Sequence, residues 1–462
     1  MRIELEKNWR EPLRLAEVFK SRICRTSSVA KSITGIATHS GEVQQGDLFL
    51  AFRGKENNGT AYIEDALRAG AIAIMTEDGG EDYPGDFWHF HVSSIENALM
   101  EAAATKRAES KSTVIAVTGS AGKTTTKEAL SVILGAVHNE GNYNSTIGMP
   151  LSVLSMREAA HWVCELGINH VGEMERMAVA LRPDIALITN VGTAHIGKMG
   201  DYATLLAEKL KVSKGIAEGG ILLIPHTLKK TLLHAPLCHL FCFGAGDEAD
   251  FWTENISMGE WGVRCDLHSR DRVITNLAWR VPGQIGLSLI AQVGAVGILC
   301  GRSDAQIREG LCAAAKATPR FRVLAVKEFL FVEDAYNASP EAMIASLEAL
   351  RHIGGQRPLA AVLGDMLELG EHSKALHAAV GAAAASTGLS RLFTYGEAAL
   401  EIARTASEYG MTDTNIFSFT ESQAPALCAA IRQYLPPRAA VLFKASHKMR
   451  LDDLAKEVEM GI

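Results

Sequence analysis

Thr113-Val114-Ile115-Ala116-Val117-Thr118-Gly119-Ser120-Ala121-Gly122-Lys123-Thr124-Thr125-Thr126 is the stretch that decides the fold. Thr113 to Val117 is a short apolar run closed by a glycine turn, which reads as a buried strand. A helix opens directly after it. Gly119 and Gly122 let the backbone wrap so that N–H groups point inward at phosphate oxygens. The helix N-terminus adds partial positive charge, and Lys123 adds a full one. Thr124 offers a hydroxyl to Mg²⁺. The strict phosphate-loop pattern has glycine where Val117 stands, so this is the shorter G-x-x-G-K-T form. A plain glycine turn with a surface lysine is the bland alternative; the strand before and the helix after argue against it. Gly119, Ser120, Ala121, Gly122, Lys123, Thr124 and Thr125 are therefore the expected nucleotide-binding residues. The loop implies a nucleoside triphosphate but not its use, since a GTPase or a motor would share it.

Working outward, apolar strands recur at Trp162 to Leu166, Ile185 to Thr189 and Gly220 to Ile224, with a helical pattern over Tyr202 to Glu218. Such alternation predicts a largely parallel sheet covered on both faces. Ile285 to Cys300 is apolar but too short to span a bilayer, so it is expected as a buried helix. Upstream, Asp47 to Phe52 and Ala71 to Met75 read as strands, and Ala61 to Ala69 and Ala98 to Arg107 as helices. Downstream, strands are expected at Phe329 to Glu333, Leu359 to Leu363, Leu392 to Tyr395, Ile416 to Phe419 and Ala440 to Lys444. Helices are expected at Glu341 to Arg351, Ser373 to Ser386, Ala398 to Tyr409 and Pro425 to Tyr434. The fold class is α/β with three domains, at 1–111, 112–318 and 319–462.

Composition bounds the rest. The chain has 462 residues, a net charge of -7, 41 glycines and 13 prolines. Many glycines with few prolines suit tight strand-to-helix turns. No basic cluster of the kind that binds nucleic acid is present. An acidic total still permits anionic substrates, because a site uses local charge. The eight cysteines are scattered, and the N-terminus lacks the apolar core of a signal peptide. A cytoplasmic protein with reduced thiols is expected. His234, Cys238, His239 and Cys242 fit no common zinc-finger spacing, and Leu237, Leu240, Phe241 and Phe243 make that stretch strand-like.

Glu165 ends an apolar strand beside the phosphate loop, where a carboxylate can reach Mg²⁺. His195 follows another such strand. Lys209 lies on a helix with Lys211 and Lys214 nearby, which on residue type alone reads as a solvated face.

Taken together, these residues resemble the Mur ligase family over almost the whole chain. The resemblance rests on Gly46 to Gly54, Thr118 to Glu128, Gly141-Asn142-Tyr143-Asn144 with Ile147 to Leu151, Asp334 to Pro340, Gly364 to Gly370 with His377, and Lys444-Ala445-Ser446. It implies a small α/β UDP-binding domain, a P-loop parallel-sheet ATPase core and a Rossmann-like C-terminal domain. It implies an ATP- and Mg²⁺-dependent amide ligase. ATP would phosphorylate the terminal carboxylate of UDP-N-acetylmuramoyl-tripeptide, and the amine of D-alanyl-D-alanine would attack the acyl phosphate. Residue by residue, it implies Thr124, Glu165, His195 and a carbamylated Lys209 at the metal, with Lys123, Lys209 and His195 catalytic. Asn337 and Arg320 would lie at the nucleotide, and Ser40 and Asn144 at the substrate. A monomer without a membrane span is implied.

The chain departs from the family pattern in places. Only Ser40 remains of an Asp-Ser-Arg segment, now His39-Ser40-Gly41, and an adenine-facing His-Asn-x-x-Asn segment reads Ile285-Gly286-Leu287-Ser288-Leu289. Glutamates expected at two positions are Gly197 and Lys211. Another acid:amino-acid ligase of the family, or a weakened paralogue that only binds UDP-linked precursors, remain as alternatives.

Overall fold

The computed structural model describes residues 1–28, 32–54, 58–77, 83–232, 238–318 and 320–462. His234 and Leu237 of the candidate zinc stretch, and the expected domain boundary at 319, lie outside the described residues.

The strand Thr113–Thr118 is third from one edge of a nine-stranded sheet, flanked in parallel by Ile185–Ile188 and His161–Glu165. Its side chains from Val114 to Thr118 are all buried. A strand covered on both faces needs this unbroken β-branched and small-residue run. Ile221–Pro225 and His239–Ala245 extend the parallel set, so His239 to Phe243 is a strand as expected, with Cys238 just before it. Among the described residues, no group of three or more His, Cys, Asp or Glu side chains is arranged to hold a metal.

Beyond His239–Ala245 the sheet continues through Phe251–Gly259, Gly262–Ser269 and Arg272–Trp279, the last two pairings antiparallel. This ribbon is absent from the sequence reading. Its buried residues alternate with polar ones, as at Val263, Cys265 and Leu267, and two register shifts break the alternation. The helix Gly283–Leu299, expected as buried, packs its apolar surface against this ribbon and the phosphate-loop helix.

Two further sheets flank the core. The N-terminal one has six strands: Gly35–Ala37, Asp47–Ala51, Ala73–Thr76 and Trp88–His91 are parallel, with antiparallel strands at both edges. The C-terminal one also has six strands, parallel except for the edge strand Arg322–Val326. No helix among the described residues is long and apolar enough to cross a membrane.

The helix expected over Tyr202 to Glu218 is α-helical only for Tyr202–Leu210, then tightens to a 3₁₀ turn over Lys211–Gly215. The turn brings Gly215 against the helix Glu173–Leu181. A Cβ on Gly215 would sit 2.1 Å from the backbone of Ala178. Gly215→Ala is therefore expected to cost about 1–3 kcal/mol by overpacking. Gly259→Ala, where a Cβ meets nothing within 4 Å, should change stability by less than about 0.5 kcal/mol. Urea denaturation of both variants tests this; equal midpoints would refute the packing argument.

Candidate active site

The phosphate loop is held open from behind. Asn190 Oδ1 accepts from Ala121 N at 2.9 Å, and its Nδ2 donates to Ala121 O at 2.9 Å. Thr189 Oγ1 donates to Ala121 O at 2.7 Å, and Ser120 Oγ accepts from Gly192 N at 2.9 Å. The side chain of Ser120 and the backbone of Ala121 thus build the loop. Gly119 has φ of 146°, and a Cβ there would lie 2.0 Å from Thr189 Oγ1. Only glycine permits that approach. Gly122 is left-handed and caps the helix Lys123–Leu134 without a side-chain bond, so the first-turn N–H groups, Thr125 among them, stay open to an anion.

Glu165, buried at the end of its strand, is gripped on both oxygens. Thr124 Oγ1 donates to Oε2 at 2.9 Å and Asn144 Nδ2 to Oε1 at 2.6 Å. Asn139 Oδ1 accepts from Glu165 N at 2.9 Å. The loop that carries Asn139 and Asn144 is in turn tied by buried Lys127, whose Nζ donates to Asn139 O at 2.7 Å and Gly141 O at 3.0 Å. Burial lowers the Lys127 ammonium pKa, partly offset by Glu165.

Two lysines converge on one oxygen. Lys123 Nζ lies 2.8 Å and Lys209 Nζ 3.1 Å from Gly119 O. Lys209 is 1 % exposed, so the solvated-face reading of its helix fails there. Burial, then the charge of Lys123, drives the Lys209 pKa well below its ordinary value. Burial also lowers Lys123, and Glu165 opposes this.

His195 has φ of 67° and starts the short turn Ile196–Met199. Burial and then Lys123 lower its pKa. The segment 192–200 is also where the C-terminal domain touches the core. Glu341 Oε1 accepts from Thr193 N at 2.8 Å, Glu368 Oε2 meets His195 Nδ1 at 2.7 Å, and His372 Nε2 meets Gly200 O at 3.0 Å. Arg320 stacks over Tyr336, and its charge acts on Lys127 and Glu128, which sets it beside the phosphate-loop helix. Asn337 is exposed and turns its Oδ1 to Ala338 N at 2.9 Å. Lys444, buried in the Lys-Ala-Ser segment, ties this loop by donating to Asp334 Oδ2 at 2.6 Å and Asn337 O at 3.1 Å.

Ser40 lies in a turn at the N-terminal domain's edge. The Tyr143 hydroxyl pKa is raised by burial and then by the charges of Glu42 and Glu140, which sets that turn beside the loop of Asn144. Asn144 itself is brought to Glu165.

The donors fit Mg²⁺. A threonine hydroxyl beside a carboxylate at a phosphate loop offers hard oxygens while leaving positions for water and phosphate, as Mg²⁺ prefers. A closed cage of side chains is not what this ion needs.

Lys127, Asn139, Asn190, Glu341 and Glu368 escaped the sequence reading as site residues. Lys127 and Glu368 stood inside recognised motifs, but nothing in a sequence tells which backbone oxygen or which distant histidine a side chain will meet. Glu208 also escaped. It is buried and caps the helix Glu173–Leu181, accepting from Gly172 N at 2.8 Å and Met174 N at 3.0 Å. Lys211, a departure from the family pattern, pairs with it at 2.8 Å.

Comparison with known proteins follows the same plan. Residues 32–118 match the Mur ligase family, catalytic domain; 117–290 the Mur ligase middle domain; and 319–447 the Mur ligase, glutamate ligase domain. The chain is 30% identical over 451 residues to the UDP-N-acetylmuramoyl-tripeptide--D-alanyl-D-alanine ligase of Bacillus subtilis (strain 168), covering 96% of this chain and 97% of that one. A crystal structure of MurF from Acinetobacter baumannii superposes with a TM-score of 0.87 at 25% identity, over 99% of this chain and 100% of that one. MurF from Thermotoga maritima, solved in complex with ADP, superposes with a TM-score of 0.80 at 28% identity, over 92% and 97% of the two chains. With likeness running nearly end to end in both sequence and fold, the chain belongs to the Mur ligase family.

Proposed function

We propose that this protein is the ATP-dependent ligase that joins D-alanyl-D-alanine to UDP-N-acetylmuramoyl-tripeptide in the cytoplasm. The observation that carries the reading is the end-to-end likeness to ligases of that name, with the phosphate loop, Glu165, His195 and Lys209 gathered at one end of the central sheet. The domains are 1–111 for the UDP substrate, 112–318 for ATP and 319–462 as the closing unit. The protein acts as a monomer.

A carboxylate is a poor electrophile because its oxygen leaves badly. In the first step a carboxylate oxygen of the tripeptide attacks the γ-phosphorus of ATP, and ADP leaves with the electrons of the broken P–O bond. In the second, the dipeptide amine attacks the acyl carbon, loses a proton, and expels inorganic phosphate. Two anions meet in the first step, so positive charge must be placed beforehand. Lys123 and the open amides of residues 123–125 supply it to the phosphates. Thr124, Glu165 and His195 would hold Mg²⁺, which when bound neutralises phosphate charge. Arg320 and Asn337 bring the C-terminal domain to the nucleotide. Ser40 and Asn144 line the UDP-substrate side.

Lys209 is suited to carbamylation. A buried amine with a lowered pKa gives up its proton more readily than an exposed one, and the deprotonated nitrogen can attack CO₂. The carbamate turns a repelling cation beside Lys123 into an anion.

Phosphate release should require ATP, UDP-N-acetylmuramoyl-tripeptide and D-alanyl-D-alanine together; turnover with a single amino acid in place of the dipeptide would assign a different ligase of the family. No ADP formation with any UDP-muropeptide would leave a binding protein. Lys123→Ala should lower kcat by roughly 10²–10³-fold with its folding intact, and near wild-type turnover would refute the loop's role.

Carbon-13 bicarbonate should give a carbamate resonance in the wild type that is lost in Lys209→Met. The same variant tests the buried charge. A Lys pKa lowered on folding costs stability below the unfolded value, and the cost fades as pH rises toward about 10.4. In bicarbonate-free buffer Lys209→Met should thus be more stable than the wild type at pH 7, with the gap closing toward alkaline pH. A pH-independent gap would show that Lys209 is not a buried cation.

A further inference from the structure

The loop of residues 364–370 brings the C-terminal domain against the turn of His195, between the contacts of Glu341 with Thr193 and of His372 with Gly200. Its residue Glu368 has φ of 64° and presents both carboxylate oxygens to the core. Oε2 lies 2.7 Å from His195 Nδ1 and Oε1 lies 2.7 Å from Lys198 Nζ. An ionised carboxylate only accepts. With one oxygen turned to Lys198 Nζ and the other to His195 Nδ1, the contact favours the tautomer with its proton on Nδ1 and leaves Nε2 free to act as a ligand.

Backbone contact sets the distance. Glu368 O accepts from Gly197 N at 3.1 Å. A Cβ on Gly197 would lie 2.4 Å from Gly370 N and 2.7 Å from Glu368 O. A Cβ on Gly370, itself at φ of 56°, would lie 2.9 Å from Gly197 Cα. Two glycines thus let the domains meet main chain to main chain. Lys198 extends the link, reaching Asn169 Oδ1 at 3.3 Å just beyond the strand of Glu165.

We infer that Glu368 is the positioning residue for His195, fixing its tautomer and ring from the opposite domain, and that the Gly197–Gly370 contact is the stop that sets its reach. This rests on the reading of His195 as a metal ligand. It deepens that reading, because the metal site gains its oriented histidine only when the C-terminal domain is docked. It also accounts for Gly197. A side chain there would prevent docking, and the carboxylate that meets this turn is the one carried by Glu368.

The test compares wild type with Glu368→Ala, Glu368→Gln and Gly197→Ala, all as full chains. Mn²⁺ binding in the presence of ADP is followed by electron paramagnetic resonance, and the His195 tautomer by nitrogen-15 NMR against a His195→Ala control. Glu368→Ala should weaken Mn²⁺ binding and lower kcat by about 10–100-fold, as removing the carboxylate behind a metal histidine does. Its thermal midpoint should hardly move, since a half-exposed ion pair contributes little to stability. Glu368→Gln, with one oxygen for two donors, should fall between. Gly197→Ala should shift the His195 resonances in the same direction, and adding it to Glu368→Ala should cost little more. Wild-type Mn²⁺ affinity and unchanged His195 resonances in Glu368→Ala would overturn the inference. Because both readouts need no ligase turnover, they decide this point even if the proposed reaction fails its own assay.

Discussion

Two ammonium groups share the carbonyl oxygen of Gly119, and the active site is organised around that crowding. Lys123 and Lys209 would repel each other strongly in a dry loop, where charges interact far more than in water. Burial lowers the pKa of both, so part of the conflict is relieved by loss of a proton. The rest is relieved by anions. Glu165 acts on Lys123 and Glu208 on Lys209, and Glu165 is bonded on both oxygens by Thr124 and Asn144. A nucleotide's phosphates would complete the balance. The loop is thus arranged to be most comfortable when filled, which is what tight binding of a polyanion requires.

That arrangement depends on layers of support with no chemistry of their own. Asn190 and Thr189 hold Ala121, so the amides of the loop turn inward. Lys127 holds the carbonyls of the loop that carries Asn139 and Asn144, so Glu165 is fixed at its backbone and both oxygens. Glu208 caps the neighbouring helix next to Lys209 and is paired with Lys211. Each of these polar groups is satisfied, as a buried network must be if it is to orient a site rather than weaken the fold. Glu128 differs. Its Oε2 is buried without a hydrogen-bond partner, and burial raises its pKa.

Legibility followed the range of the forces involved. The strand of 113–118, its glycines and the helix after it were readable because local backbone geometry dictates those residue types. The buried helix Gly283–Leu299 was readable because its apolar surface runs all around it. The antiparallel ribbon of 251–279 was not, because its hydrophobic alternation is broken by register shifts and by polar outward faces. Lys209 was misread from residue type alone, since three lysines on one stretch look like a solvated face. Only the packing of its helix against the phosphate loop shows that one of them is buried while Lys214 is exposed. The family resemblance supplied that role where periodicity could not. Glu368, Glu341 and Asn190 act across the tertiary structure, over separations no local pattern records.

The departures from the family pattern show the same rule from the other side. A site needs charge and shape at a place in space, and the chain is free in how it supplies them. Lys211 stands where a glutamate was expected, yet the carboxylate is present three residues earlier on Glu208, on the same side of the helix, and the two pair. Gly197 stands where another glutamate was expected, and Glu368 brings a carboxylate to that turn from the opposite domain. The second exchange has a consequence the first lacks. A carboxylate on the turn itself would act whether or not the domains meet. One carried by the C-terminal domain acts only on contact, and the glycine that replaces the side chain is what allows the contact. Glycine at this one position thereby ties the environment of His195 to the approach of a separate domain.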